Sequence, residues 1–110
     1  MAIALNVFKT VTADVTTAGS LVYTAPTGYT TVVLMAQVSN LGTSTVTVTA
    51  DHVRSGSYTN VITDGIIPKN DAINLLSGKM VLQTGDSFSV KSSVDGAAQM
   101  ILSILETANP

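Results

Sequence analysis

Apolar and polar residues alternate with a period of two over several stretches of the chain, which is typical of β-strands. Residues 45–50 read Thr-Val-Thr-Val-Thr-Ala, so that Val46, Val48 and Ala50 share one face and three threonines share the other. Residues 31–40 and 87–92 alternate similarly, and no stretch shows the 3.6-residue apolar spacing of an amphipathic helix. The pattern predicts an all-β chain.

Turn-forming residues divide these stretches at intervals of about 8–12 residues, the rhythm of a sandwich. Glycine supplies positive φ in such turns, and proline fixes φ at an early turn position, as in Pro26-Thr27-Gly28. We predict a single antiparallel β-sandwich or jelly-roll-like domain of about eight strands over residues 1–110, with residues 1–19 as an arm or covering strand. The strands are expected near 3–15, 20–24, 30–40, 44–54, 58–67, 72–76, 79–83, 87–93 and 98–106.

Two of the predicted strands are apolar on both faces. In the strand near 30–40, Val32, Leu34, Ala36 and Val38 are assigned to one face, and Val33 and Met35 to the other. In the last strand, Ile101 and Leu105 lie opposite Met100, Leu102 and Ile104. Because the outer faces of an ordinary sandwich are exposed to water, the apolar outer face of such strands must be covered by another segment or subunit. The cover is either the N-terminal segment with Ile3, Leu5 and Val7, or a partner subunit. We predict an interface at Val33, Met35, Ile101 and Leu105, in a homo-oligomer for which a trimer is one candidate.

Composition narrows the function classes further. The 110 residues are 45% hydrophobic and 11% charged, with a formal net charge of −2. Low charge with high hydrophobicity argues against disorder, and the negative balance argues against a nucleic-acid partner. Cysteine is absent, which excludes disulfides and thiolate metal sites. No signal peptide and no stretch of 18 apolar residues is found, so we expect neither a leader nor a membrane partner.

Candidate chemistry is sparse, and we predict no enzyme, no cofactor and no metal site. His52 is the single histidine, and its neighbour Asp51 points to the opposite face of the same strand, so the two cannot form a catalytic pair. His52 is instead expected at the rim of the core. The carboxylates, Asp86 among them, are interpreted as turn residues, and the cations, including Arg54, as solvated strand or loop ends.

Two tyrosines next to predicted turns are the remaining candidates for recognition. Tyr29 follows Pro26-Thr27-Gly28, and Tyr58 follows Ser55-Gly56-Ser57. A loop tyrosine combines a large contact area with a polar tip, so it suits a binding surface. The alternative is that each tyrosine covers one end of the core and keeps its hydroxyl in water.

Several segments resemble small virion structural proteins of tailed bacteriophages, including those that infect marine cyanobacteria. The first is Leu21-Val22-Tyr23-Thr24-Ala25-Pro26-Thr27-Gly28, which leads into a long apolar strand ending in Ser39-Asn40-Leu41-Gly42. The others are Ile67-Pro68-Lys69-Asn70-Asp71 and Leu82-Gln83-Thr84-Gly85-Asp86. The resemblance spans about residues 20–105 and implies a β-sandwich module of the virion, without catalytic residues.

The resemblance and the apolar strands together lead to a specific expectation. The chain is expected to be a capsid decoration (cement) protein located in the virion, where it contacts its own copies and other virion proteins. A tail, baseplate or fibre component is the first alternative. A glycan- or receptor-binding module that uses Tyr29 and Tyr58 is the second.

Overall fold

A computed structural model describes residues 6–109, which form nine β-strands in two antiparallel sheets. The strands are β1 (Asn6–Val15), β2 (Ser20–Thr24), β3 (Tyr29–Asn40), β4 (Val46–Arg54), β5 (Ser57–Ile67), β6 (Ala72–Asn74), β7 (Met80–Leu82), β8 (Ser87–Ser92) and β9 (Ala98–Ala108). This confirms the predicted all-β sandwich. The part of the first predicted strand before Asn6, with Ile3 and Leu5, lies outside the described residues.

The strand order is that of a jelly roll. Sheet I has the order β1-β9-β3-β6, with β7 also paired to β3, and sheet II has the order β2-β8-β4-β5. Successive strands therefore cross from one sheet to the other, except at the β4–β5 hairpin of sheet II and between β6 and β7 of sheet I. The two short strands β6 and β7 together occupy the place of one strand beside β3, so the architecture corresponds to the eight-stranded double Greek key.

The β4–β5 hairpin has a two-residue turn at Ser55 and Gly56, whose φ angles are 51° and 78°. Positive φ at both central residues defines a type I′ turn, whose twist matches that of the flanking strands. Glycine at the second position accepts this conformation without strain. The turn fixes the register in which Arg54 pairs with Ser57 and Val53 with Tyr58.

The core lies between the sheets and is built mainly from inward-facing valine, leucine and isoleucine side chains. Phe88 is the largest fully buried side chain, and it is paired in register with Tyr23 of β2 and His52 of β4. Met100, Leu102 and Ile104 of β9 face the same core, as predicted, while Ile101 and Leu105 point outward. Burial of a large apolar side chain contributes about 1.5–3 kcal/mol, so these positions dominate stability.

A β-bulge in β3 changes which of its residues face the core. Val33 pairs with Ile104, and the next paired residue, Met35, lies opposite Ser103, so Leu34 is the extra residue. Because alternation has a period of two, one extra residue exchanges the faces on either side of it. Val33 is therefore fully buried, together with Ala36 and Val38. The assignment of Val33 to the second face, and of Val32 and Leu34 to the core face, was wrong.

Within residues 6–109, no helix is long and apolar enough to span a bilayer.

Candidate functional site

The outer face of sheet I carries a row of apolar side chains that crosses four strands. In register, Phe8 of β1 lies opposite Leu105 of β9, Leu105 lies opposite Val32 of β3, and Val32 lies opposite Val81 of β7. Phe8 is 74% exposed and Val81 is 52% exposed. We call these four residues the apolar row. A phenylalanine that is this exposed, within a contiguous apolar row, is typical of a protein-contact surface rather than of a solvent-exposed sheet face.

The apolar surface continues along the strands beyond the row. Leu34 and Met35, the two bulge residues, are half-buried, and Ile101 is 37% exposed. Farther along, a depression of about 600 Å³ includes Leu41 in its lining. Of the four predicted interface residues, the structure thus places Met35, Ile101 and Leu105 on this face and Val33 inside the core.

Charge is scarce on the same face. Among the strand residues of this face that the structure describes, Asp14 is the single ionisable group, and Gln99 Nε2 donates a hydrogen bond to its Oδ1 at 3.2 Å. The other polar positions are neutral, among them Thr10, Thr12 and Ser103. A surface without charges to desolvate can be buried against a partner at small electrostatic cost.

One end of the sandwich is closed by two buried carboxylates, and we call it the Asp86 end. Asp86, which directly precedes β8, accepts hydrogen bonds from Arg54 Nε at 2.9 Å, Arg54 Nη2 at 2.6 Å and the Gln83 backbone N–H at 2.9 Å. His52 Nε2 lies 3.1 Å from Asp86 Oδ2. The Arg54 guanidinium is the main cause that lowers the pKa of Asp86 to about 2.

The second carboxylate of this end is Glu106 in β9. Lys9 Nζ lies 2.8 Å from Glu106 Oε1, and the Tyr23 hydroxyl donates to Oε2. The Tyr23 oxygen also lies 2.8 Å from Thr31 Oγ1, so the cluster joins sheet II to sheet I. The hydrogen bond from Lys9 lowers the pKa of Glu106, and burial raises the pKa of Tyr23 to about 12.

At the opposite end, which we call the Asn40 end, the buried side chain that ties the connections together is a neutral amide. Asn40 is buried and its Nδ2 donates to the backbone oxygens of Ser44 at 2.8 Å and Ile67 at 3.0 Å. Its Oδ1 accepts from the Gly42 N–H at 2.8 Å. One amide therefore fixes the β3–β4 connection against the end of β5.

These contacts correct two of the sequence-based interpretations. Asp86 is not only a turn residue and Arg54 is not only a solvated strand end, because the buried Asp86 carboxylate forms an ion pair with the partly exposed Arg54 guanidinium. The expectation for His52 is confirmed, since it faces Phe88 inside the sandwich while Asp51 faces outward beside Ser89. His52 is hydrogen-bonded to Asp86, so the observed partner of the imidazole is a structural carboxylate.

The two candidate tyrosines lie in different sheets. Tyr29 begins β3 of sheet I and is half-buried, and its carbonyl oxygen accepts from Thr84 Oγ1 at 2.6 Å. Tyr58 lies near the start of β5 in sheet II, opposite Val53, and is 60% exposed. The structure therefore does not bring them into one recognition surface.

Comparison with solved structures finds the same architecture in a phage capsid. The chain is similar to a chain of the acidic stable capsid structure of Helicobacter pylori bacteriophage KHP30, with a TM-score of 0.56 and 10% identity, over 94% of this chain and 88% of that one. At this identity, the similarity shows the shared fold alone.

A more distant similarity involves a pentameric capsid protein isolated from metagenomic phage sequences. The TM-score is 0.44 at 11% identity, over 89% of this chain, which spans 61% of that protein. A score this low defines no common fold and supports no functional argument. No protein-family model and no curated protein sequence matches the chain.

Proposed function

We propose that the chain is a non-enzymatic structural protein of a phage virion, and that it decorates the capsid. In this role its copies associate through the outer face of sheet I and also contact other virion proteins. The observation that carries the proposal is the jelly-roll fold shared with a chain of a phage capsid structure over 94% of this chain. Fold alone does not define function, so the surface of the molecule has to support the same role.

The outer face of sheet I supports this role by its size. Strand β9 has 11 residues, and four strands lie side by side at the apolar row. With about 3.3 Å per residue and about 4.8 Å between strands, the face measures roughly 36 Å by 19 Å, or about 700 Å². Standard stable interfaces bury about 600–1,000 Å² on each partner. The face is thus large enough for one specific contact with a second copy.

The composition of the face supports the same role. The apolar row supplies an aromatic anchor in Phe8, and aromatic anchors dominate the binding energy of interfaces. Neutral hydroxyl and amide side chains surround it, which is the usual arrangement of an apolar centre with a polar rim. The small charged fraction of the whole chain, 11%, fits a protein that works in a crowded assembly.

The association is tested by two matched substitutions on opposite faces of the sandwich. Phe8→Asp introduces a charge into the apolar row, and Leu21→Asp introduces the same charge on the outer face of sheet II, where Leu21 is 51% exposed. By sedimentation velocity over a range of concentrations, we expect the wild type and Leu21→Asp to self-associate. Phe8→Asp should weaken the association by at least about thirtyfold, as expected for loss of an anchor. A monomeric wild type, or equal effects of the two variants, would contradict the interface.

The virion role is tested in purified particles of the phage that encodes the chain. We expect the protein in nuclease-treated, gradient-purified particles by mass spectrometry, at a copy number comparable to that of the shell protein. Particles made without the gene should still form closed shells but should break at a lower temperature. Detection of the protein only in tails would contradict the decoration role and favour the tail alternative. Its absence from purified particles would contradict the virion role altogether.

A further inference from the structure

The outer face of sheet II carries a depression of about 380 Å³ that has no part in the assembly proposed above. Leu21 of β2, Ser89 of β8 and Asp51 of β4 follow one another in register across the sheet. Asn60 of β5 is the residue opposite Asp51, and Tyr58 lies two residues away from Asn60 on the same face of β5. Leu21 and Tyr58 are separated by three strand spacings across the sheet and by two residues along it, or about 16 Å between their backbones. They form two apolar walls on either side of a polar floor.

The floor offers both hydrogen-bond acceptors and donors. Asp51 Oδ1 accepts from Asn60 Nδ2 at 3.1 Å, and within residues 6–109 Asp51 Oδ2 accepts no hydrogen bond. The Ser89 hydroxyl can donate and accept, and the Lys91 ammonium donates at one side of the depression. Because Gly19 adopts a φ of +78° and a Cβ there would lie 3.2 Å from Lys91 Cβ, the β1–β2 loop can approach this lysine closely.

The charges of the depression select the class of ligand. The Asp51 carboxylate and the Lys91 ammonium leave the site without net charge. An acidic ligand is repelled by Asp51, and a cationic ligand is repelled by Lys91. A neutral molecule that both donates and accepts hydrogen bonds avoids both repulsions. Ligand sites commonly combine apolar walls with a few polar groups in volumes of about 300–1,000 Å³, and this depression lies at the small end of that range.

We propose that this depression binds a neutral sugar residue, with one face of the pyranose ring packed against Tyr58. The sugar hydroxyls donate to Asp51 Oδ2 and accept from Lys91 and Ser89. Tyr58 is suited to this contact because its aromatic ring is 60% exposed and belongs to a strand rather than to a loose loop. The site does not depend on the virion role, since it lies on the face opposite the proposed assembly face.

The test is an amide NMR titration of the ¹⁵N-labelled protein with glucose, galactose and N-acetylglucosamine, and with N-acetylneuraminic acid as the acidic comparison. We expect at least one neutral sugar to shift the amides of residues 18–21, 51, 58, 89 and 91, with a Kd of about 1–10 mM. Tyr58→Ala should weaken this binding about tenfold or more. Tyr58→Phe keeps the ring and should stay within about threefold of the wild type.

Two further variants keep the proposal falsifiable. Tyr29→Ala removes an aromatic side chain outside the depression and should leave the sugar shifts unchanged. Asp51→Asn removes the carboxylate charge and should narrow the preference for neutral sugars over N-acetylneuraminic acid. If no neutral sugar shifts these amides, or if Tyr58→Ala binds as well as the wild type, the proposal is wrong. Neither result would contradict the proposed self-association or virion role, which the sedimentation and particle experiments test separately.

Discussion

The two ends of the sandwich are closed by different chemistry, although the same two sheets form both. At the Asp86 end, two buried carboxylates each hold a partly exposed cation, Arg54 or Lys9. At the Asn40 end, one neutral amide makes the corresponding contacts. A chain with few charges thus places a large share of them at one end of its core. The stability of the two ends should therefore respond differently to pH and to substitution.

The largest expected effect comes from placing a charge at the neutral end. Asn40→Asp keeps the size of the side chain but cannot donate to the Ser44 and Ile67 oxygens when it is ionised. Facing two carbonyl oxygens, the buried carboxylate should cost about 3 kcal/mol or more of unfolding free energy at neutral pH. Urea unfolding measures this loss, and part of it should return in acid as the carboxylate is protonated. If the variant is as stable as the wild type at neutral pH, this end of the core does not require a neutral amide.

Removing the carboxylate at the charged end should have the next largest effect. Asp86→Ala leaves the Arg54 guanidinium, His52 and the Gln83 N–H without their shared acceptor, at a cost of about 2 kcal/mol. The matched control is Asp95→Ala at the other end, where an exposed carboxylate accepts from the Thr17 N–H at 2.7 Å. We expect this control to change the unfolding free energy by about 0.5 kcal/mol or less. Equal losses in the two variants would mean that Asp86 has no special role.

Acid should destabilise the fold through the charged end. The folded-state pKa of Asp86 is about 2, below its ordinary value of 3.8, so its contribution is present above about pH 4 and is lost as pH falls toward 2. Glu106, whose pKa is also lowered, acts in the same direction. Thermal unfolding measured between these pH values should show a falling Tm. Asp86→Asn should make Tm depend less steeply on pH. If Tm of this variant falls with pH as steeply as that of the wild type, the acid sensitivity comes from other groups.

The smallest expected effect concerns Lys9. Its side chain is 49% exposed, so its ion pair with Glu106 is screened by water. Lys9→Met keeps the aliphatic stem and removes the charge, at an expected cost of about 0.5–1 kcal/mol. The loss should shrink when urea unfolding is repeated at high salt. A loss of about 2 kcal/mol or more that high salt does not reduce would contradict a screened ion pair at Lys9.

The sequence predicts most of the strands but not the contacts between them. In β4 the alternation of Val46, Val48, Ala50 and His52 places all four inward, as observed. In β3 the extra residue, Leu34, is apolar and lies between two other apolar residues, Val33 and Met35, so the hydrophobic pattern contains no sign of the bulge. Register errors of this kind change the face of every residue beyond them, which is why Val33 was assigned to the wrong side.

The charged pairs were missed for a different reason. Arg54 and Asp86 are 32 residues apart in sequence, and they meet because β4 and β8 are neighbours in sheet II. Tyr23 and Glu106 are 83 residues apart and belong to different sheets. A single sequence does not specify strand order, so each of these residues had to be interpreted from its immediate neighbours. Phe8 was missed as a surface residue because β1 was expected only as an arm or cover.

The tight turn at Ser55 and Gly56 has a practical consequence for labelling. A Cβ built on Gly56 meets nothing within 4 Å, and the flanking pair of Arg54 and Ser57 belongs to the regular hairpin. Added sequence would replace the two-residue turn with a longer exposed loop, and the pairing of β4 with β5 and with β8 would then hold the register. A short epitope placed between Ser55 and Gly56 would give microscopists a marker for counting and orienting individual subunits.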